Sequence, residues 1–265
     1  MTVLTNLLKH DRIILLAALF AIVALAWLYL LLGAGIDMEQ MDMGGGQIML
    51  MTPRWTPGYA LLVLLMWAIM MLAMMLPGAA PTILLVATLA RNRGASGASP
   101  TAALFILGYF LVWSGFSVAA TALQWGLDSV QMLSGEMAAA STVIAGTVLI
   151  AAGIYQWTPL KQACLRHCHS PLAFLLHHWR PGGCGAVASG IRHGVFCLGC
   201  CWMLMALLFI GGLMNLLWIA GLSLLVLLEK LLPWAGITSR VIGVMLIAWG
   251  AVTLAGAWES VPIFG

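Results

Sequence analysis

Long apolar runs separated by short polar breaks dominate the chain, and the runs have the length of a bilayer crossing. A hydrocarbon core needs about 20 consecutive apolar residues. Runs of that kind predict helices over about 12–33, 57–76, 101–125, 137–158, 191–211, 213–232 and 236–258. Pro233 and Gly236 divide the last two clearly, whereas only Gly211, Gly212 and Asn215 divide the pair before them. The second helix carries an appendix. Pro77, Gly78 and Pro81 follow Met74-Met75-Leu76, and an apolar piece then runs to Ala90. Proline removes a backbone donor and crowds the preceding turn. The segment is read as a kinked, over-long helix, with a re-entrant piece buried in protein as the alternative. The stretch 91–100 is a short Gly/Ser linker, not a domain boundary. The pattern predicts an all-α fold: a polytopic transmembrane helix bundle of about seven spans, one integral membrane domain over 1–265.

Composition sharpens this. The chain is 63% hydrophobic and 7% charged, with a mean hydropathy of +1.06. Soluble domains carry about a quarter charged residues, so the lipid bilayer must cover this surface. Basic residues set the expected orientation. With a cytoplasmic N-terminus, ten of the 11 Lys and Arg fall inside and only Arg54 outside. Residues 34–56 then form an extracytoplasmic loop and residues 159–190 a cytoplasmic one. The first helix is too long for a signal-peptide core and is read as an uncleaved anchor. The net charge of +3 sits at helix ends and gives no reason to expect nucleic acid. There is no internal repeat, nucleotide-binding Gly-rich loop or Ser/His/Asp arrangement, so the chain reads more as a non-enzyme than an enzyme.

Four clusters of soft ligands stand out. The stretch 196–205 holds Cys197, Cys200 and Cys201, which share one helical face. His193, Cys197, Cys201 and Met205 follow at steps of four, a row that slants around the helix. Helical rise puts Cys200 roughly 14 Å from the cytoplasmic end, near mid-membrane. The cytoplasmic loop holds Cys164, His167, Cys168 and His169, then His177, His178 and Cys184. Thiolate and imidazole suit copper or zinc. The stretch 170–180 reads as an interfacial amphipathic helix that accounts for His177 and His178 without a metal. The outer loop is acidic, Gly-rich and Met-rich, with Met38, Met41 and Met43; exposed thioethers gain nothing from packing and favour Cu(I). The second helix carries Met66, Met70 and Met74 in one row and Met71 and Met75 in the next. For single Cys or Met residues, ordinary packing is the competing reading. Glu229 and Lys230 read as a snorkelling pair that anchors a helix end, although an intramembrane charge is a functional candidate.

The set Met74 to Pro77, Thr158-Pro159-Leu160-Lys161 with Cys164 and Cys168, Cys197-x-Gly199-Cys200-Cys201-Trp202-x-Leu204-Met205, and Glu229-Lys230 resembles an uncharacterised bacterial family of predicted metal-binding integral membrane proteins. The resemblance covers about residues 60 to 235 and leaves out the Met-rich loop. It implies a multi-pass protein of the bacterial inner (cytoplasmic) membrane with a metal site at these Cys residues, and no substrate or reaction.

Three functions compete. The first is handling of a soft metal ion, copper favoured and zinc possible, for binding, transport or delivery. Its candidate ligands are Met38, Met41 and Met43 outside, and Met70, Met74, His193, Cys197, Cys200, Cys201 and Met205 within. Cys164, His167, Cys168 and His169 complete the set inside. A metallochaperone or metalloenzyme partner follows from delivery, and a homo-oligomer is left open. The second is a thiol–disulfide oxidoreductase cycling Cys197 and Cys200; the third is an accessory subunit stabilised by one fixed metal. The expected topology is directly testable. Reporter fusions should place residue 1 inside and residue 265 outside, and two termini on one side would contradict an odd number of spans.

Overall fold

The computed structural model describes residues 2–35, 39–42, 48–51, 54–92, 98–133, 141–179, 182–232 and 234–256. Apolar runs with strong helix formers fold as expected: α1 (Thr2–Leu31), α2 (Pro57–Asn92), α3 (Ala98–Ser129) and α4 (Thr142–Tyr155). Then come α5 (Pro159–His169), α6 (Pro171–His178), α7 (Gly183–Ala206), α8 (Leu208–Gly211), α9 (Leu216–Leu231) and α10 (Ala235–Leu254). The fold is all-α, apart from a ribbon between α1 and α2 in which β1 (Glu39–Asp42) pairs antiparallel with β2 (Ile48–Met51), Met41 opposite Met49. Met38, Met43 and Pro233 lie outside the described residues, as do the side chains of Met41, His177 and His178.

Five of these helices are long and apolar enough to cross a membrane. The number is six if α4 and α5, bent by 64° at their junction, form one span. The outward faces carry Phe20, Leu107, Leu111, Ile154, Val244 and Met245, all exposed, an apolar surface of the kind that lipid covers. α9 has only 16 residues, about 24 Å of rise, less than the roughly 30 Å of a hydrocarbon core. Gly212, at φ 87°, breaks the chain after α8, and Asn215 caps the new helix by accepting from the Trp218 N–H at 3.1 Å.

The over-long second helix is present: Pro77 and Pro81 lie inside one continuous helix, α2, of 36 residues. No break or re-entrant turn occurs there, because proline deletes single donors while the neighbouring helices bury the segment. In the segment 159–190, placed as a cytoplasmic loop, residues 159–169 are helical, and the helix expected over 170–180 is present as α6 (Pro171–His178). Thr158 accepts from the Lys161 N–H at 3.3 Å and Pro159 occupies the first turn, a strong start signal for α5. α6 turns Phe174 and Leu175 inward and leaves Leu172 and Leu176 exposed.

Helices approach closely where glycine permits it. α3 and α7 run parallel: a Cβ on Gly190 would lie 2.1 Å from the Phe105 carbonyl oxygen, and one on Gly108 would lie 2.2 Å from that of Val187. α4 and α10 run antiparallel, with Gly146 against Gly250 and Gly153 against Gly243. Within lipid, such small-residue contacts are a main source of helix association. The expected consequence is selective. Gly190→Ala should destabilise the detergent-solubilised protein by about 1–3 kcal/mol, as overpacking does. Gly115→Ala, where a Cβ meets nothing within 4 Å, should be neutral; equal unfolding temperatures for the two variants would contradict the contact.

Candidate metal centre

The three thiols of α7 face the protein interior. Cys197, Cys200 and Cys201 are all buried, placed on one face by their spacing. Cys200 and Cys201 turn their S–H groups back to the Cys197 carbonyl, at 3.0 and 2.9 Å. Three other helices, α2, α3 and α9, contribute one group each around Cys197 and Cys201. Met75 of α2 puts its thioether 3.8 Å from Cys201 Sγ. Tyr109 of α3 places its hydroxyl 3.0 Å from Cys197 Sγ and donates to the Met75 carbonyl at 3.2 Å. Lys230 of α9 donates to Cys197 Sγ at 2.9 Å and to Met75 Sδ at 3.6 Å.

On the other side of α7 lies α5. The buried Cys168 thiol of α5 lies beside that of Cys200. Cys164 Sγ lies where Gly199 leaves room: a Cβ there would come within 2.7 Å of that sulfur. Gly199 thus has a steric role between Cys197 and Cys200. The thiols of α5 and α7 form one chain of neighbours: Cys164 at Gly199, Cys168 at Cys200, and Cys201 near Met75. All six cysteines are free thiols; Cys184 is exposed and apart.

Glu229 and Lys230 correct the sequence reading. A snorkelling pair keeps its charges in water, yet these residues are 1% and 6% exposed. They do not pair with each other. Glu229 binds Lys161 of α5 through both carboxylate oxygens, at 2.9 and 2.7 Å, and accepts from Ser239 of α10 at 3.1 Å. Its backbone carbonyl lies 2.9 Å from His169 Nε2. The pair therefore ties α5, α9 and α10 together beside the thiols.

The remaining candidates scatter. His193, one turn from Cys197, is buried among the rings of Phe105, Tyr109 and Phe174; its Nδ1 has no hydrogen-bond partner among the described residues. Met205, Met70 and Met74 are buried, and it is Met75, in the neighbouring row, that touches Cys201 and Lys230. His167 stacks flat on Phe196 at 4.1 Å and its Nδ1 meets the Ala163 carbonyl; His169 is held by Glu229. Met38, Met41 and Met43 have no described side chains. Sequence reasoning missed Met75, Tyr109 and Lys230 as neighbours of Cys197. Met75 had stood in the methionine stripe without being chosen, Lys230 was visible as a charge inside an apolar run, and Tyr109 gave no signal.

Among the described residues, no three His, Cys, Asp or Glu side chains are arranged to hold a metal by themselves. What converges is thiol with thioether, a donor set suited to Cu(I). A family model described as PpoB2, copper chaperone, matches residues 64–253. The chain belongs to the PpoB2 copper chaperone family. Comparison with curated proteins and with solved structures finds no match. The PpoB2 match takes in every motif residue of the family resemblance and leaves out the Met-rich loop, and it supports copper handling in general.

In this PpoB2-family chain the ion pair is the strongest test of the site's frame. Removing one partner of a buried pair costs about 3–5 kcal/mol, while an apolar replacement of both is often neutral. Lys161→Ala should therefore unfold at much lower temperature, and Lys161→Met with Glu229→Leu should recover most of the loss. If Lys161→Ala unfolds with the native protein, the pair does not hold the frame.

Proposed function

We propose that the chain is an integral membrane copper chaperone that holds Cu(I) between Cys197, Cys201 and Met75. It passes the ion by ligand exchange along α7 to Cys200 and Cys168, and then to Cys164. The observation that carries this reading is the meeting of two thiols and a thioether, from α7 and α2, in a buried place at 3.8 Å between Cys201 and Met75, with a second thiol pair one step away. Soft sulfur donors select Cu(I) over harder ions. Several weak sites in series also favour movement over trapping. Met38, Met41 and Met43 serve as a collecting site on the outer side. Delivery to a copper-dependent enzyme is the natural end, since a chaperone releases what it holds.

The position of Lys230 beside Cys197 also favours a redox reading in one respect, because reactive thiols want a neighbouring cation. Against it stands burial: a partner's disulfide needs access, and Cys197 is 1% exposed. Alkylation trapping separates the two readings, since a redox enzyme must accumulate an oxidised Cys197–Cys200 pair.

Copper content of purified protein tests the main reading. Native protein should hold Cu(I); the double change Cys197→Ser and Cys201→Ser should lose it, and Met75→Leu should weaken it by about tenfold, roughly 1.4 kcal/mol. Changing Met38, Met41 and Met43 together to Leu should reduce loading at low copper only. Undiminished copper in the Cys variant would sink the assignment.

A further inference from the structure

Lys230 raises a question that the copper reading leaves open. Its side chain lies within the fold, and the hydrogen bonds it makes among the described residues go to sulfur: Cys197 Sγ at 2.9 Å and Met75 Sδ at 3.6 Å. The adjacent Glu229 is not available to it, being held by Lys161 and Ser239. Its stem runs over Gly78 of α2, where a Cβ would lie 2.8 Å from the Lys230 Cδ. The Gly78 position that follows Pro77 therefore keeps open the passage by which this side chain reaches the sulfurs. A lysine ammonium is a compact charge on a flexible stem, and here it is directed into the group of sulfurs assigned to copper.

We propose that Lys230 is a built-in stand-in for the copper ion: its ammonium holds the sulfur site when copper is absent and is displaced when copper enters. This rests on the copper(I) reading of Cys197, Cys201 and Met75. A Cu(I) ion bound to Cys197 and Met75 must sit between their sulfurs, and the ammonium contacts both. The two cations exclude one another by contact and by like charge, which interior dielectric screens poorly. They also match in charge. Each is monovalent, and every thiol that ligates copper gives up its proton as the ion enters. Whatever stabilises the empty site relative to the filled one weakens binding by the same factor. The lysine thus keeps copper affinity low enough for release to an acceptor, the property that distinguishes a chaperone from a storage site.

The test is Cu(I) affinity of the full-length protein in detergent, measured by competition with the chromophoric chelator bicinchoninate. Native protein is compared with Lys230→Leu and Lys230→Gln, which keep most of the side-chain volume without the charge and add no soft ligand. Both variants should bind Cu(I) at least tenfold more tightly at unchanged stoichiometry, and their release of copper to excess chelator should be slower. A lysine with a merely structural role would produce equal or weaker binding. If one variant fails to fold, the other decides. Affinity equal to or below native in a folded variant overturns the stand-in role while leaving the copper site intact. Native protein that binds no Cu(I) overturns the copper reading itself, and this inference with it.

Discussion

Charges placed inside an apolar bundle must find their counter-charges within the fold, and that constraint organises the centre of this protein. Each buried ion loses several kcal/mol of hydration, regained only through close contacts. Lys161 and Glu229 meet this by direct pairing, with Ser239 and the Glu229 carbonyl bringing in α10 and His169. Lys230 meets it at sulfur. Because Lys161 sits on α5 and both Glu229 and Lys230 on α9, these contacts bring α5 and α9 to the thiol-bearing face of α7. Moving any one of these helices would strand a charge.

Close approach is the second requirement, and glycine supplies it at chosen points. Gly199 admits the Cys164 sulfur to the α7 surface, and Gly78 admits the Lys230 stem past α2. Gly108 and Gly190 let α3 and α7 touch backbone to backbone, which brings Tyr109 to Cys197. These glycines are thus tied to the chemistry at one remove: each makes room for a side chain or helix that reaches the sulfurs.

Much of this was legible in the sequence. Apolar run length marked every long helix, and the clustering of soft donors marked α7 and α5 as the places to look. Spacing on α7 placed three thiols on one face. What periodicity could not supply was contact between helices. Met70, Met74 and Met75 look alike in one dimension, and only packing singles out Met75. The two prolines of α2 left a re-entrant piece open beside the over-long helix, because sequence shows the lost donor and not the neighbours that bury the segment. Glu229-Lys230 looked like an interfacial anchor because adjacent opposite charges at a helix end usually are one. Their separate partners, Lys161 and Cys197, lie 68 and 33 residues away. The His residues of the α5 region attracted attention by type, yet His167 is occupied by a ring stack and His169 by a backbone carbonyl.

The central claim is that thiol and thioether sulfurs from α7 and α2 form the copper site. X-ray absorption at the copper edge of the loaded, purified protein tests it most directly. The account predicts a Cu(I) edge and a first shell of sulfur alone, which is lost when Cys197 and Cys201 are changed to Ser and loses one sulfur in Met75→Leu. A shell of nitrogen and oxygen, or a sulfur shell unaltered by all of these changes, would contradict it.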